Sequence, residues 1–324
     1  MSKIWEPDRW YSFLRPYVDY CTRVSYSHLR VEGRLPEDGA VIIAPNHTNT
    51  LMDALVVLQS RKAPTVFGPR ADIFRKPAAN RALRFLRILP MARERDGVQT
   101  IRDYAVSFDE VDDALAHGVP FCLFPEGRHH TDRCSLLPLK KGVNRIALRS
   151  AAERPTVIVP TGIQYGDFFR FRHACLVRYG KPLDVNAFLK EHEGETEQQV
   201  NKALTEVLST RMLALLAPNP LPRKTAWWRY LLLPLWPAAA LLSLPLWVPA
   251  EVVCRKIEDK AFCNSVRYLS KLLLTPLTFV IWALLLGFLL PWWLTLCCLA
   301  LFLFSYSLFY DGLLMLCPKS KSLS

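Results

Sequence analysis

A histidine and an aspartate with five residues between them open the chemical reading: APNHTNTLMD, residues 44–53, carries His47 and Asp53. If the turn brings the carboxylate to one imidazole nitrogen, the other nitrogen is held as a free base, the arrangement that strips a proton from a hydroxyl. The second loaded segment is FPEGRHHTD, residues 124–132, where Pro-Glu-Gly ends an apolar run and begins a turn. It offers backbone N–H groups, the carboxylate of Glu126 and the guanidinium of Arg128 to a polar ligand. The plainer alternatives are a solvated loop for the first segment and a surface turn for the second, with His129 and His130 facing water. No metal is expected, because these histidines and acids do not fall at helical metal-ligand spacing. Nucleophilic cysteine is not expected either: nine cysteines are scattered with no CxxC pair and no histidine partner at readable spacing.

Both segments need strand ends to hold them, and the chain supplies alternating strand and helix signals from residue 41 onward. Strands are expected at Val41–Ala44, Thr65–Phe67, Pro120–Phe124 and Thr156–Pro160, with an edge strand at Cys175–Tyr179. Helices are expected at Leu51–Gln59, Val98–Ala116, Gly142–Ala152 and Glu197–Leu216. The fold class is therefore α/β, a mixed sheet covered by helices. Ahead of it, residues 5–27 place Trp10, Phe13, Leu14, Tyr17, Val18, Cys21 and Val24 at steps of three and four, one face of an amphipathic helix. That helix is either packed on the core or laid in a headgroup layer.

Charge divides the chain. Up to Pro220, 56 of 220 residues are Lys, Arg, Asp or Glu; beyond it, 14 of 104 are. Three units follow: an N-terminal helix (1–32), a catalytic domain (33–220) and a membrane-embedded helical region (221–324). A hydrophobic content of 51% excludes bulk disorder, and the opening MSKIWEPDRW has no apolar core or cleavage site of a secretory signal. The net charge of +12 comes from basic residues mixed with acids, with no nucleic-acid-binding signature, so it fits an anionic membrane surface better than nucleic acid. Leu272–Tyr310 is a 39-residue uncharged stretch divided by Pro291 into halves of 19, which predicts a helical hairpin of membrane length. Tyr230–Ala250 is also uncharged but carries Pro234, Pro237, Pro245 and Pro249, so its regular helical bonding should be broken. Basic residues flank it on both sides (Arg223, Lys224 and Arg229 before, Arg255, Lys256 and Lys260 after), and Lys319 and Lys321 follow the hairpin. The positive-inside rule then makes 230–250 a wedge that enters and leaves one leaflet.

Taken in order, APNH with its following Asp53, ILPMARERDG (88–97), LFPEGR with LLPLKKG (136–142), and VIVPTGIQYG (157–166) resemble the four blocks of the glycerolipid acyltransferase superfamily. That superfamily contains glycerol-3-phosphate and lysophosphatidate acyltransferases. The tail after the proline-broken segment resembles the membrane region of the fungal-type glycerol-phosphate acyltransferases and their bacterial relatives. The resemblance implies that His47 is the general base and Asp53 its orienting partner. It also implies that Arg93, Glu126, Gly127 and Arg128 form the acceptor site, with Lys140 favouring phosphate and Pro160 shaping the acyl-donor side. It implies no cofactor: acyl-CoA or acyl carrier protein is the donor substrate, and lysophosphatidate or glycerol-3-phosphate the acceptor, at a bacterial inner membrane with the catalytic domain cytosolic. The alternatives are an acyltransferase for a non-phosphate lysolipid or acylated amino acid, and a catalytically silent lipid-binding protein. The block after FPEG departs from the family's usual hydroxyl-then-Arg, since Arg128 and His129 follow Gly127 directly.

Overall fold

The computed structural model describes residues 3–6, 8–68, 86–89, 108–132, 134–167, 170–216 and 227–316, with backbone alone for 227–229. Among the described residues seven strands form one mixed sheet: β1 (His28–Glu32), β2 (Ala40–Pro45), β3 (Val66–Phe67), β4 (Phe121–Cys122), β5 (Thr156–Tyr165), β6 (Ala174–Tyr179) and β7 (Leu183–Asp184). Their order is β1-β6-β5-β2-β4-β3, with β7 beside β5. Strands β5, β2, β4 and β3 are mutually parallel, β6 runs antiparallel to β5, and β1 is parallel to β6.

Period-two alternation in β2 divides the interior. Ala40, Ile42 and Ala44 face one core, with Phe121, Ile146, Ile158, Leu204 and Leu208. That face is covered by residues 108–116 (α3), Gly142–Ala151 (α4), Val185–Glu191 (α5) and Glu197–Leu213 (α6). Val41 and Ile43 face a second core, with Cys21, Val56, Tyr268, Phe302 and Tyr306. It is made by α1 (Arg9–Arg23), α2 (Leu51–Gln59) and the C-terminal helices α7 (Trp236–Leu242), α8 (Leu244–Lys256), α9 (Cys263–Leu289) and α10 (Trp292–Leu316). Both faces of β2 are buried, which is why its sequence is a continuous apolar run.

Three expectations shift and one is sharpened. Strand β6 is interior, because β1, whose HLRVE sequence has no apolar run, pairs along its outer side. Strand β5 runs on through Pro160 to Tyr165. It can do so because β7 pairs at Val157 and Ile158 and β6 takes over at Thr161, so the missing proline N–H falls between two neighbours while its carbonyl accepts from Gly180 N–H at 2.8 Å. In the tail, the break expected of 230–250 is present and confined to one place: Pro237 and Pro245 occupy the first turns of α7 and α8, where no N–H is needed, while Pro249 lies inside α8. The α1 stripe also divides. Cys21 is buried and Tyr17 and Val18 pack on the second core, while Trp10, Phe13 and Leu14 lie exposed, Phe13 at 73%.

The proline-rich segment bends by 76° between Leu242 and Leu244. Side chains take up carbonyls at the bend: Ser243 Oγ donates to Ala239 O, Trp247 Nε1 to Ala240 O and Trp282 Nε1 to Leu242 O. Two helical stretches among the described residues, Lys260–Leu289 and Trp292–Leu316, are long and apolar enough to cross a membrane, with mean hydropathies of 2.3 and 1.8. The bent pair adds a third if it counts as one span. Helix α9 begins nine residues before the uncharged stretch, and its first two turns pack into the protein. Buried polar contacts fasten this tail to the sheet. Arg172, from the β5–β6 connection, forms a two-pronged ion pair with Asp311 at 2.6 and 3.1 Å and donates to Val24 O and Tyr26 O. Lys271 Nζ donates to Cys21 O and Ser25 Oγ at the same end of α1.

Helices α7 and α10 meet most tightly at Gly312, where a Cβ would stand 1.9 Å from Trp236 Cδ1, and the Trp236 indole donates to Phe309 O at 3.0 Å. Gly312→Ala must therefore push the indole away and release that carbonyl. Overpacking of this kind costs about 1–3 kcal/mol. The expected outcome is a lower apparent Tm of the detergent-solubilised protein, checked by thermal unfolding against wild type; an unchanged Tm would mean that α7 repacks freely.

Candidate active site

Register brings the two loaded segments together. Ile43 of β2 pairs with Cys122 of β4, and the fourth residues beyond them are His47 and Glu126. Both loops leave the carboxyl ends of adjacent parallel strands, where open α/β sheets form their crevices. Asn46 anchors the first loop by extending the β2–β5 ladder through its side chain: its Nδ2 donates to Ile163 O at 3.0 Å and its Oδ1 accepts from Ile163 N–H at 2.6 Å.

Asp53 sits in the first turn of α2 with no accessible surface. Its Oδ2 accepts from His47 Nδ1 at 2.8 Å, from Thr48 N–H at 2.8 Å and from Asn49 N–H at 2.7 Å. Its Oδ1 accepts from the Tyr165 hydroxyl at 2.7 Å. A carboxylate accepts only, so Nδ1 carries the ring proton and Nε2 keeps its lone pair. Around this group the buried thiols and phenols stay protonated: burial first, and the Asp53 charge second, push Cys122, Cys175 and Tyr165 well above their ordinary values. As neutral thiols the two cysteines are poor nucleophiles. The His47 side chain is 19% exposed. One face stacks on Phe124, with ring centroids 4.3 Å apart.

Glu126 is 1% exposed, and both its oxygens face protein. Oε1 accepts from His47 N–H at 2.8 Å and Oε2 from Leu137 N–H at 2.7 Å, so the carboxylate braces the histidine loop against the LLPLKKG strap. His130 Nε2 stands 2.8 Å from Oε2 without an aligned hydrogen bond, while its N–H donates to His47 O at 3.1 Å. Gly127 has φ +69°, the left-handed region that a glycine enters without cost, and its N–H closes the turn onto Phe124 O. The N–H groups of Gly127 and His130 are thus engaged inside the turn. Arg128 and Lys140 are exposed, and the Lys140 stem passes close to Gly127. Pro160 is buried in the sheet beside Ala44, three residues before His47. Arg93 lies outside the described residues.

Three contributors are not visible in the sequence. Tyr165 lies within the VIVPTGIQYG block, but only the extension of β5 carries it to Asp53. Asp259 accepts from His129 Nε2 at 2.6 Å, a contact that holds its carboxyl below the usual carboxylate range. Ser265 shares a 2.7 Å hydrogen bond with Thr50. The only sequence signal for the last two is an acid and a hydroxyl beside the otherwise basic and apolar tail.

Comparison with known proteins places this site within a recognised domain. Residues 28–164 match the acyltransferase family model. The chain is 37% identical over 112 residues to glycerol-3-phosphate O-acyltransferase 1 of Saccharomyces cerevisiae, a match covering 33% of this chain and 15% of the relative. It is 35% identical over 113 residues to glycerol-3-phosphate O-acyltransferase 2 of the same yeast, again 33% of this chain and 15% of the relative. An uncharacterized acyltransferase of Schizosaccharomyces pombe is 27% identical over 122 residues, 36% of this chain and 18% of the relative. The chain thus spans less than a fifth of the length of these relatives. Among solved structures, the 1-acyl-sn-glycerophosphate acyltransferase of Thermotoga maritima aligns with a TM-score of 0.46 and 20% identity over 68% of this chain and 86% of that one.

The bracing geometry of Glu126 separates two duties. Glu126→Gln keeps one acceptor oxygen but turns an NH₂ toward one of the two backbone N–H groups, so the His47 loop loses its fixed position. A fall in turnover of about 10²-fold with the acceptor KM nearly unchanged is expected from such a misplacement. Steady-state kinetics check it: a raised acceptor KM at unchanged kcat would assign Glu126 to acceptor binding.

Proposed function

We propose that the acyltransferase-family domain of residues 28–164 is the working part of a membrane-bound glycerolipid acyltransferase. It moves a fatty acyl chain from an acyl thioester to a hydroxyl of glycerol-3-phosphate or lysophosphatidate, a step of phospholipid biosynthesis. The observation that carries this reading is the 2.8 Å contact of His47 Nδ1 with buried Asp53 Oδ2 beneath a partly exposed ring, which leaves Nε2 as the base. Nε2 takes the proton of the acceptor hydroxyl as its oxygen attacks the thioester carbonyl. The tetrahedral intermediate collapses, the C–S bond breaks, and the imidazolium returns the proton to the leaving thiolate. No acyl-enzyme and no cofactor are needed; acyl-CoA or acyl carrier protein is a substrate.

The exposed cations Arg128 and Lys140 flank the FPEG turn and, with Arg93, would hold an acceptor phosphate, while Gly127 and Pro160 shape the loops around it. The names of the yeast relatives support glycerol-3-phosphate as the first acceptor to try. The domain would face the cytosol at a bacterial inner membrane. Support comes from the turn bearing Arg255, Lys256 and Lys260, which reaches His129 through Asp259, because basic turns stay on the cytosolic side. The bent pair α7–α8 would then enter and leave that leaflet as a wedge.

Membranes carrying the protein, supplied with acyl thioester and a panel of acceptors, should yield an acylated product identifiable by mass spectrometry. His47→Ala should lose about 10²- to 10⁴-fold in rate while staying in the membrane. Near-normal turnover in that variant would end the general-base mechanism, and no product from any acceptor would leave a silent lipid-binding protein. Arg128→Lys should raise the acceptor KM and leave the donor KM unmoved, since an ammonium cannot copy the planar two-pronged donor. Topology is checked separately. In a variant stripped of native cysteines, Glu258→Cys should react with an impermeant thiol reagent only from the cytosolic side, and far-side labelling would make the bent pair a full span.

A further inference from the structure

Two contacts tie the site to residues beyond the acyltransferase-matched span. The first is His129 Nε2 to Asp259 Oδ2 at 2.6 Å, and the second is Thr50 Oγ1 to Ser265 Oγ at 2.7 Å. Each lands on a residue one step from the His47–Asp53 pair. The His129 ring stands edge-on to His47, with centroids 6.0 Å apart, and on its other side Phe262 packs edge-on at 5.1 Å. One short turn, 259–262, therefore holds His129 by a charge and by a ring. Thr50 lies between His47 and Asp53 at φ 47°, ψ −121°, a backbone conformation rarely adopted by a β-branched residue and sustained only where the surroundings over-determine it. Ser265, buried in the first turn of α9, is the hydrogen-bond partner of the Thr50 side chain.

The first contact is a poor staple. The His129–Asp259 pair is 25% and 47% exposed on its two side chains, and pairs of that kind add little to stability. Its position beside the base gives it consequence, because small displacements of a catalytic loop are costly in rate. We propose that Asp259 and Ser265 are positioning residues of the acyl-transfer site, acting through His129 and Thr50, so that the start of α9 is a structural wall of the catalytic centre. The inference rests on the acyltransferase reading of that centre. It makes the membrane-length helix and the base a single mechanical unit, joined by two side-chain bridges.

The test uses the full chain in membranes. Asp259→Ala should lower kcat about tenfold with both KM values within about twofold and the apparent Tm unchanged. Asp259→Asn, whose carbonyl oxygen still accepts from Nε2–H, should recover most of the loss. His129→Ala combined with Asp259→Ala should be no slower than the slower single variant, as expected of residues acting as one unit. Ser265→Ala should repeat the kcat loss and Ser265→Thr rescue it. Wild-type turnover in Asp259→Ala, multiplicative losses in the double variant, or a loss tracking a lowered Tm would each overturn the inference while leaving acyl transfer standing. A wild-type protein inactive on every acceptor would instead remove the proposed function. Independently of turnover, Thr50→Cys with Ser265→Cys, in a chain stripped of native cysteines, should cross-link on mild oxidation; failure to do so would overturn the juxtaposition itself.

Discussion

A buried carboxylate met by four hydrogen-bond donors organises this molecule. Asp53 has no accessible surface, and four donors converge on it: an imidazole, two backbone N–H groups and a phenol. Such a charge is tolerable only if every lone pair is met, and meeting them dictates the surrounding geometry. The loop after β2 must fold back so that Thr48 and Asn49 point inward. Helix α2 must begin where its positive end adds to the donors. Strand β5 must run past Pro160 so that Tyr165 arrives. The neighbouring thiols and phenols are kept neutral, so the charge reaches the surface at one place, the ring of His47.

The second loop obeys the same logic with a second carboxylate. Glu126 holds the backbone of His47 and the backbone of Leu137, so the histidine is fixed from below by Asp53 and from beside by Glu126. Two main-chain N–H groups meet each acid, and Asp53 takes an imidazole and a phenol besides. A site built this way has the position of its histidine set largely by backbone, with Arg128 and Lys140 at the surface beside it.

The parts of this arrangement that are legible in sequence are those fixed by short-range pattern. The apolar run of β2, the helix after it and the His47/Asp53 interval are local, and the five-residue interval closes because Thr50 takes a left-handed turn before α2. The PEG turn is readable from its glycine. Contacts that depend on register between distant strands are not readable: HLRVE alternates Leu29 and Val31 with polar residues but is only five residues long and has no apolar run, so β1 gains its place only where β6 offers an edge, and Tyr165 reaches Asp53 across 112 positions of sequence. The prolines of 230–250 announce a break but not its place: Pro237 and Pro245 start the helices on either side of it. Arg172 and Asp311, 139 residues apart, give no local sign that they neutralise one another.

The second core has one consequence for how the protein comes into being. Val41 and Ile43 of the central strand, and α1 and α2 above them, are covered by Tyr268, Phe302, Tyr306 and Phe309, which belong to the two helices of membrane length. During synthesis those helices emerge after the sheet, so the sheet is made with one greasy side uncovered and Arg172 awaiting its counter-charge. The side chains that close it come with the membrane-length pair, and Ser265, which steadies Thr50, comes with them. The fold thus contains its own order of assembly: the loops bearing His47 and Asp53 gain their last contacts only once α9 and α10 are in place.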